Sequence, residues 1–198
     1  MNVSEELGES KKFQLFHPDE TVKICSIVES MLIARNLNKI LPLVQTAIIE
    51  LVMNSFKAYD KRAFFLQNEL SLDSDYEEGM KLFKKKFHEE QDGNENILRS
   101  KPVYLEFHIS NKELYLLVKT DIQMHQEEER VVTDLLKRRI EENDLMESEG
   151  GGIGIHMILA ILENLNLNRS CFSFHTEPEK TSFSLSLVLS DLPSFRSE

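Results

Sequence analysis

Two apolar helical patterns, a strand pair, a charged helix, a short apolar helix and a second strand pair follow one another along this chain. That order predicts an α+β fold, a two-layer sandwich rather than a βαβ parallel sheet. Two observations carry the prediction. Residues 18–62 are almost wholly apolar-periodic at helical spacing. Alternating apolar residues come in two adjacent pairs, Val103–Ile109 with Leu114–Val118 and Ser170–His175 with Thr181–Leu189, each joined by a short polar turn.

Residues 1–12 are polar and read as a flexible N-terminus. Phe13–Phe16 alternates briefly, as an edge strand would. Pro18 suits the first turn of a helix, where Asp19 and Glu20 complement the dipole. Val22, Ile24, Ile27, Val28, Met31 and Leu32 then keep one face through about Arg35. Pro42 opens a second helix to about Arg62, apolar enough to be buried on most sides. Residues 61–101 differ in texture and read as a helical insertion. Ser74 with Glu77 predicts a capping box there, and Met80, Phe83 and Phe87 share helical spacing. With Phe64 and Phe65 they form either a partner-binding face or an amphipathic helix packed on the domain. Gln126–Glu142 is a charged helix with a narrow apolar stripe, Val131, Leu135, Leu136 and Ile140. A helix over Ile155–Asn164 precedes the last two strands. One domain over 13–190, with a tail at 191–198, accounts for the whole pattern.

Composition narrows the function classes. With 41% hydrophobic and 29% charged residues, the 198-residue chain can build a core. Its net charge of −11 argues against general affinity for nucleic acid or anionic lipid. Cys25 and Cys171 make neither a disulfide framework nor a zinc ribbon. With no N-terminal signal pattern and no obvious apolar span, a cytoplasmic location is the expectation.

Two clusters carry chemistry. Four of the seven glycines fall within Gly150-Gly151-Gly152-Ile153-Gly154, directly before the apolar helix. Glycines there allow close backbone approach and leave N–H groups at a helix N-terminus, where an anion such as phosphate is stabilised. A linker or plain turn is the alternative; no Gly-Lys-Ser/Thr follows, so it is not a P-loop. Glu50 and Asn54 lie at i and i+4 within the most apolar stretch of the chain, and Lys57 follows one turn on. Polar groups so placed line a cavity or form the solvent stripe of an ordinary helix. A carboxylate that activates water and an amide oxygen that coordinates Mg²⁺ would account for the first case.

Taken together, these segments resemble the GHKL superfamily, the Bergerat-type ATPase fold of gyrase-type topoisomerases, histidine kinases and anti-sigma-factor kinases. Glu50-Leu-Val-Met-Asn54-Ser-Phe-Lys57-Ala58 is similar to its N box, Gly150-Gly-Gly-Ile-Gly154-Ile155 to its G2 box, and Lys180-Thr181-Ser182-Phe183 to its closing Gly-Thr-x-Phe element. The order of motifs agrees as well. The resemblance implies a mixed sheet covered by helices on one face, with ATP and Mg²⁺ as ligands. By it, Asn54 would hold the metal, Glu50 would be the general base, and Lys57 and Ala58 would border the nucleotide. Gly150, Gly151, Gly152, Ile153, Gly154 and Ile155 would wrap the phosphates, Thr181 would lie near adenine, and residues 122–149 would form a mobile lid.

The family's Asp-x-Gly-x-Gly after the second hairpin strand has no counterpart. Leu117–Met124 contains no glycine, and the aspartate position falls on Thr120, with Asp121 one residue late. Asp121 is the candidate nucleotide-binding substitute, and because successive strand residues face opposite sides it would need a bulge to serve. A histidine kinase also needs a phosphoacceptor histidine within a helix, and His17 precedes Pro18. The expectation is therefore a stand-alone nucleotide-binding signalling regulator, serine kinase or ATPase. Its partner would be an anti-sigma-type protein, a response regulator or another signalling protein, and a homodimer is open. The alternative is a non-enzymatic interaction module on the same fold.

Overall fold

A computed structural model describes residues 8–89, 101–137 and 153–192. The chain enters through β1 (Glu9–Leu15), then α1 (Glu20–Ile33), a 3-10 turn at Asn38–Ile40, the long α2 (Leu41–Gln67) and α3 (Tyr76–Glu89). The hairpin β2 (Val103–Ile109) and β3 (Glu113–Thr120) follows, then α4 (Gln126–Lys137) and α5 (Ile153–Asn164), and finally the hairpin β4 (Phe172–Glu177) and β5 (Lys180–Val188).

The five strands form one open sheet in the order β1-β2-β3-β5-β4. Every neighbouring pair is antiparallel, which corrects the expected mixed sheet. Three helices, α1, α2 and α3, lie between β1 and β2, and the chain re-enters the sheet antiparallel to β1. β3 and β4 run in the same direction, but β5 lies between them.

Strand alternation sets the two faces. Leu105 opposes Val118, Phe107 opposes Leu116, and across the next ladder Leu116 opposes Leu185 and Val118 opposes Phe183. These residues are buried and meet Val28, Leu32, Val44, Ile48, Leu51 and Phe56 of α1 and α2, with Ile158, Leu159 and Leu162 of α5, in one core. α2 is its centre. Its third face is open: Ile49 is 44% and Met53 46% exposed, so the helix is less enclosed than its apolar sequence predicts. By length and composition alone, Asn38–Gln67 could cross a bilayer at a mean hydropathy of 1.2, yet half of that window is buried inside this domain.

Three of the differences from expectation have a clear physical reason. β1 begins at Glu9, because the polar residues counted with the N-terminus form its outer edge, with Lys12 paired to Glu106 at 3.3 Å. α2 runs five residues past Arg62, because Ala63, Phe64 and Phe65 are buried. The reciprocal cap before α3 is Ser71 with Asp75, whose carboxylate accepts from the Ser71 N–H at 2.8 Å, rather than Ser74 with Glu77. Beyond it, α3 packs on the domain. Phe64, Phe65 and Phe83 form a small second core with Leu70, Leu72, Tyr76 and Met80 around it.

Candidate functional site

The C-terminal end of β3, the start of β5, the middle of α2 and the N-terminal turn of α5 converge at one end of the sandwich. Between them lies a cavity of about 600 Å³, within the range of small-molecule sites. α2 contributes Asn54, Ser55, Lys57, Ala58, Lys61 and Arg62, a stripe at helical spacing along one side. The sheet contributes Thr120, Thr181 and Phe183, and the segment after β3 adds Ile122 and Met124. Ile155 of α5 and Val131 and Val132 of α4 close the apolar part.

Of the residues singled out from sequence, Asn54, Lys57, Ala58, Ile155 and Thr181 therefore border one cavity. Glu50 stands one turn before Asn54, outside the lining, and meets α5 directly. A methyl group added to Gly154 would overlap the Glu50 carboxylate and stand 2.9 Å from its Cβ. Only glycine permits that approach, and it brings the middle of α2 and the start of α5 together. Ile153 opens α5. Gly150, Gly151 and Gly152 lie outside the described residues, as do residues 138–149 of the expected lid.

Asp121 is not among the lining residues. The β3–β5 register runs unbroken from Glu113–Val188 to Thr120–Thr181, so no bulge turns Asp121 inward and Thr120 takes the inward position. The Asp121 N–H instead donates to Tyr59 Oη at 3.2 Å, and that hydroxyl donates to the Pro102 carbonyl at 3.0 Å. Tyr59 is buried, and burial raises its pKa. It ties the exit of β3 and the entry to β2 onto α2. The Thr181 hydroxyl donates to the Ile122 carbonyl at 2.7 Å, and the Thr120 hydroxyl to the Thr181 carbonyl at 3.4 Å. With both protons so used, the two oxygens keep only lone pairs to offer a ligand.

The α3 wall was not legible as part of the site, whereas α4 (Gln126–Lys137) falls within the segment 122–149 expected over the nucleotide. Tyr76, Glu77, Met80, Lys81 and Lys84 of α3 line the cavity opposite Glu127 and Glu128 of α4. Glu128 is the junction of three helices. Its carboxylate contacts Lys61 Nζ, accepts from Tyr76 Oη at 3.3 Å, and lies 3.9 Å from Arg62 Nη2. Arg62 also donates to the Gln123 carbonyl at 2.8 Å, which holds the segment after β3, while its Nη1 is buried without a hydrogen-bond partner. The Tyr76 ring stacks on His125 with centroids 3.9 Å apart. Burial, with the Arg62 and Lys57 cations nearby, pushes the Lys61 ammonium down to about 7. The Glu128 carboxylate works against that, because the contact is favourable while both groups are charged. The cavity surface is mostly apolar, with basic and acidic side chains both in its lining, so it suits a ligand with a substantial apolar part. No family model matches the chain, and no curated protein matches it in sequence.

Proposed function

We propose that this chain is a GHKL-type domain that binds an adenine nucleotide with Mg²⁺ and regulates a partner protein. The observation that carries the reading is the convergence of Asn54, Lys57, Ala58, Ile155 and Thr181 on one cavity of about 600 Å³. These residues come from three motifs that are distant in sequence. Ile122 and Met124 line the cavity rather than fill it, so room for a base remains, which favours nucleotide binding over a purely interacting module. The free lone pairs of Thr120 and Thr181 suit the amino group of adenine, in place of the family's aspartate.

Among the described residues no group of three His, Cys, Asp or Glu side chains could hold a metal. Mg²⁺ would therefore arrive with the phosphates, as it commonly does, and the Asn54 side-chain oxygen is the candidate protein ligand. The metal would neutralise phosphate charge. Lys57 would add a positive charge on the same helix face, and α5 would turn its N-terminal N–H groups toward the anion. Glu50, held against Gly154, is the candidate base for hydrolysis or for transfer to a partner's hydroxyl. Positioning and electrostatics would do most of the work in such a step.

Isothermal titration with ATP and ADP, each with and without Mg²⁺, tests this. The expected outcome is Mg²⁺-dependent binding at micromolar nucleotide that Asn54→Ala removes without changing the far-ultraviolet circular dichroism. No heat at millimolar nucleotide in a folded sample would refute it.

A further inference from the structure

The two ends of the sheet are finished differently. β1 carries Lys11 and Lys12, which pair with Glu9 at 3.6 Å and with Glu106 at 3.3 Å. Lysines on an end strand guard it against pairing with another chain. β4, at the other end, pairs with β5 alone among the described residues. Its sequence, Phe172 to Glu177, holds no lysine, arginine, proline or glycine. The register with β5 is unbroken from Phe172–Leu185 to Glu177–Lys180, so no bulge turns this edge away. The carboxylate of the strand, Glu177, is paired with His175 at 3.1 Å. In a chain of net charge −11, β4 is an edge that two copies can share with little repulsion between the strands themselves.

The two faces of β4 say how. Phe172, Phe174 and Thr176 alternate with Ser173, His175 and Glu177, which are exposed on the open face of the sheet. Phe172 is buried, but Phe174 is only partly buried at the margin of the core, because no strand lies beyond it. A second β4 laid antiparallel must keep inward residues opposite inward ones. A twofold axis through Phe174 does this. Phe174 then meets its own copy, Phe172 meets Thr176, and Ser173 meets His175. No like charges stand opposite each other, and the open flank of Phe174 is covered.

We propose that β4 is a homodimerisation edge, at which two copies pair antiparallel about Phe174 and join two five-stranded sheets into one. Backbone hydrogen bonds supply affinity, as in other strand additions, and an isologous contact of this kind closes at two chains. The pairing does not depend on the nucleotide reading.

Sedimentation equilibrium of the whole chain, from low micromolar to millimolar concentration, is the test. Ser173→Lys/His175→Lys sets lysines opposite each other at both crossings. Ser173→Glu/His175→Lys sets a carboxylate opposite a lysine at both. Ser10→Lys/Gln14→Lys makes the same charge change as the first variant, on exposed residues of β1. The expected result is a monomer–dimer equilibrium in the wild type. It should be weakened at least about tenfold by the lysine pair, restored by the glutamate–lysine pair and unchanged by the β1 variant. Restoration separates charge across the twofold axis from simple loss of folding. A wild type that stays monomeric at millimolar concentration overturns the proposal, as does growth beyond the dimer. So does a lysine variant that dimerises like the wild type, a glutamate–lysine variant as weak as the lysine one, or an equal loss in the β1 variant.

Discussion

His125 caps α4 in a way that requires a neutral ring. Its Nδ1 accepts from the Glu127 N–H at 3.3 Å, while the Glu128 carboxylate accepts from the His125 N–H at 3.2 Å. This is the reciprocal logic of a capping box, with an imidazole in place of the usual hydroxyl. Burial first, and then the Arg62 cation, hold the His125 pKa below its ordinary value, against the pull of Asp73 and Glu127. An unfolded histidine titrates at about 6.5. Because the folded value is lower, the stabilisation is complete above about 6.5 and is lost as pH falls through the depressed value. His125→Asn keeps a side-chain acceptor and removes the titration. Between pH 8 and pH 5 the melting temperature of the wild type should fall more steeply than that of the variant, as followed by circular dichroism. Parallel curves would show that His125 does not titrate with folding.

At the scale of elements, α3 is seated by one close approach. A Cβ on Gly79 would stand 2.6 Å from Phe65 Cε1 and 3.0 Å from Cε2, and Phe65 is itself fully buried between helices. Gly79→Ala must therefore lift α3 from its small core, a crowding cost of about 1–3 kcal/mol. Hydrogen exchange should speed up in α3 while β2 and β3 keep their protection. Uniform protection would mean that the helix absorbs the methyl group. This helix also marks where sequence reasoning stopped. The stripe Asn54, Lys57, Ala58 was legible because a helix fixes i, i+3 and i+4 geometry locally. Strand alternation showed that Asp121, the residue expected at the nucleotide, would need a bulge; the unbroken register has none and puts Thr120 at the cavity instead. That Tyr76, Lys81 and Lys84 line the cavity depends on how α3 docks against Phe64 and Phe65, a contact between side chains on different helices with no local signature. The strand directions were hidden for a related reason. Pairing is set by the whole path of the chain between β1 and β2, and residue periodicity says nothing about it.

On the scale of the molecule, the cavity draws on nearly every layer. α2 and α5 belong to the helical layer, β3 and β5 to the sheet, and α3 to the second core. A ligand there would bridge segments that are also tied by polar links such as Tyr59 to Asp121 and Pro102, and Arg62 to Gln123. Binding to the folded state alone raises stability by mass action, about 2.7 kcal/mol at a ligand concentration one hundred times Kd. For a domain of this size each kcal/mol moves the melting temperature by about 2–4 °C. ATP with Mg²⁺ at that concentration should therefore raise it by roughly 5–10 °C in scanning calorimetry, in a single transition, because the bridged segments must unfold together. Asn54→Ala should remove most of the shift at the same nucleotide concentration. A shift confined to one of two separate transitions would show that the ligand holds only part of the chain, and that α3 with its small core unfolds by itself.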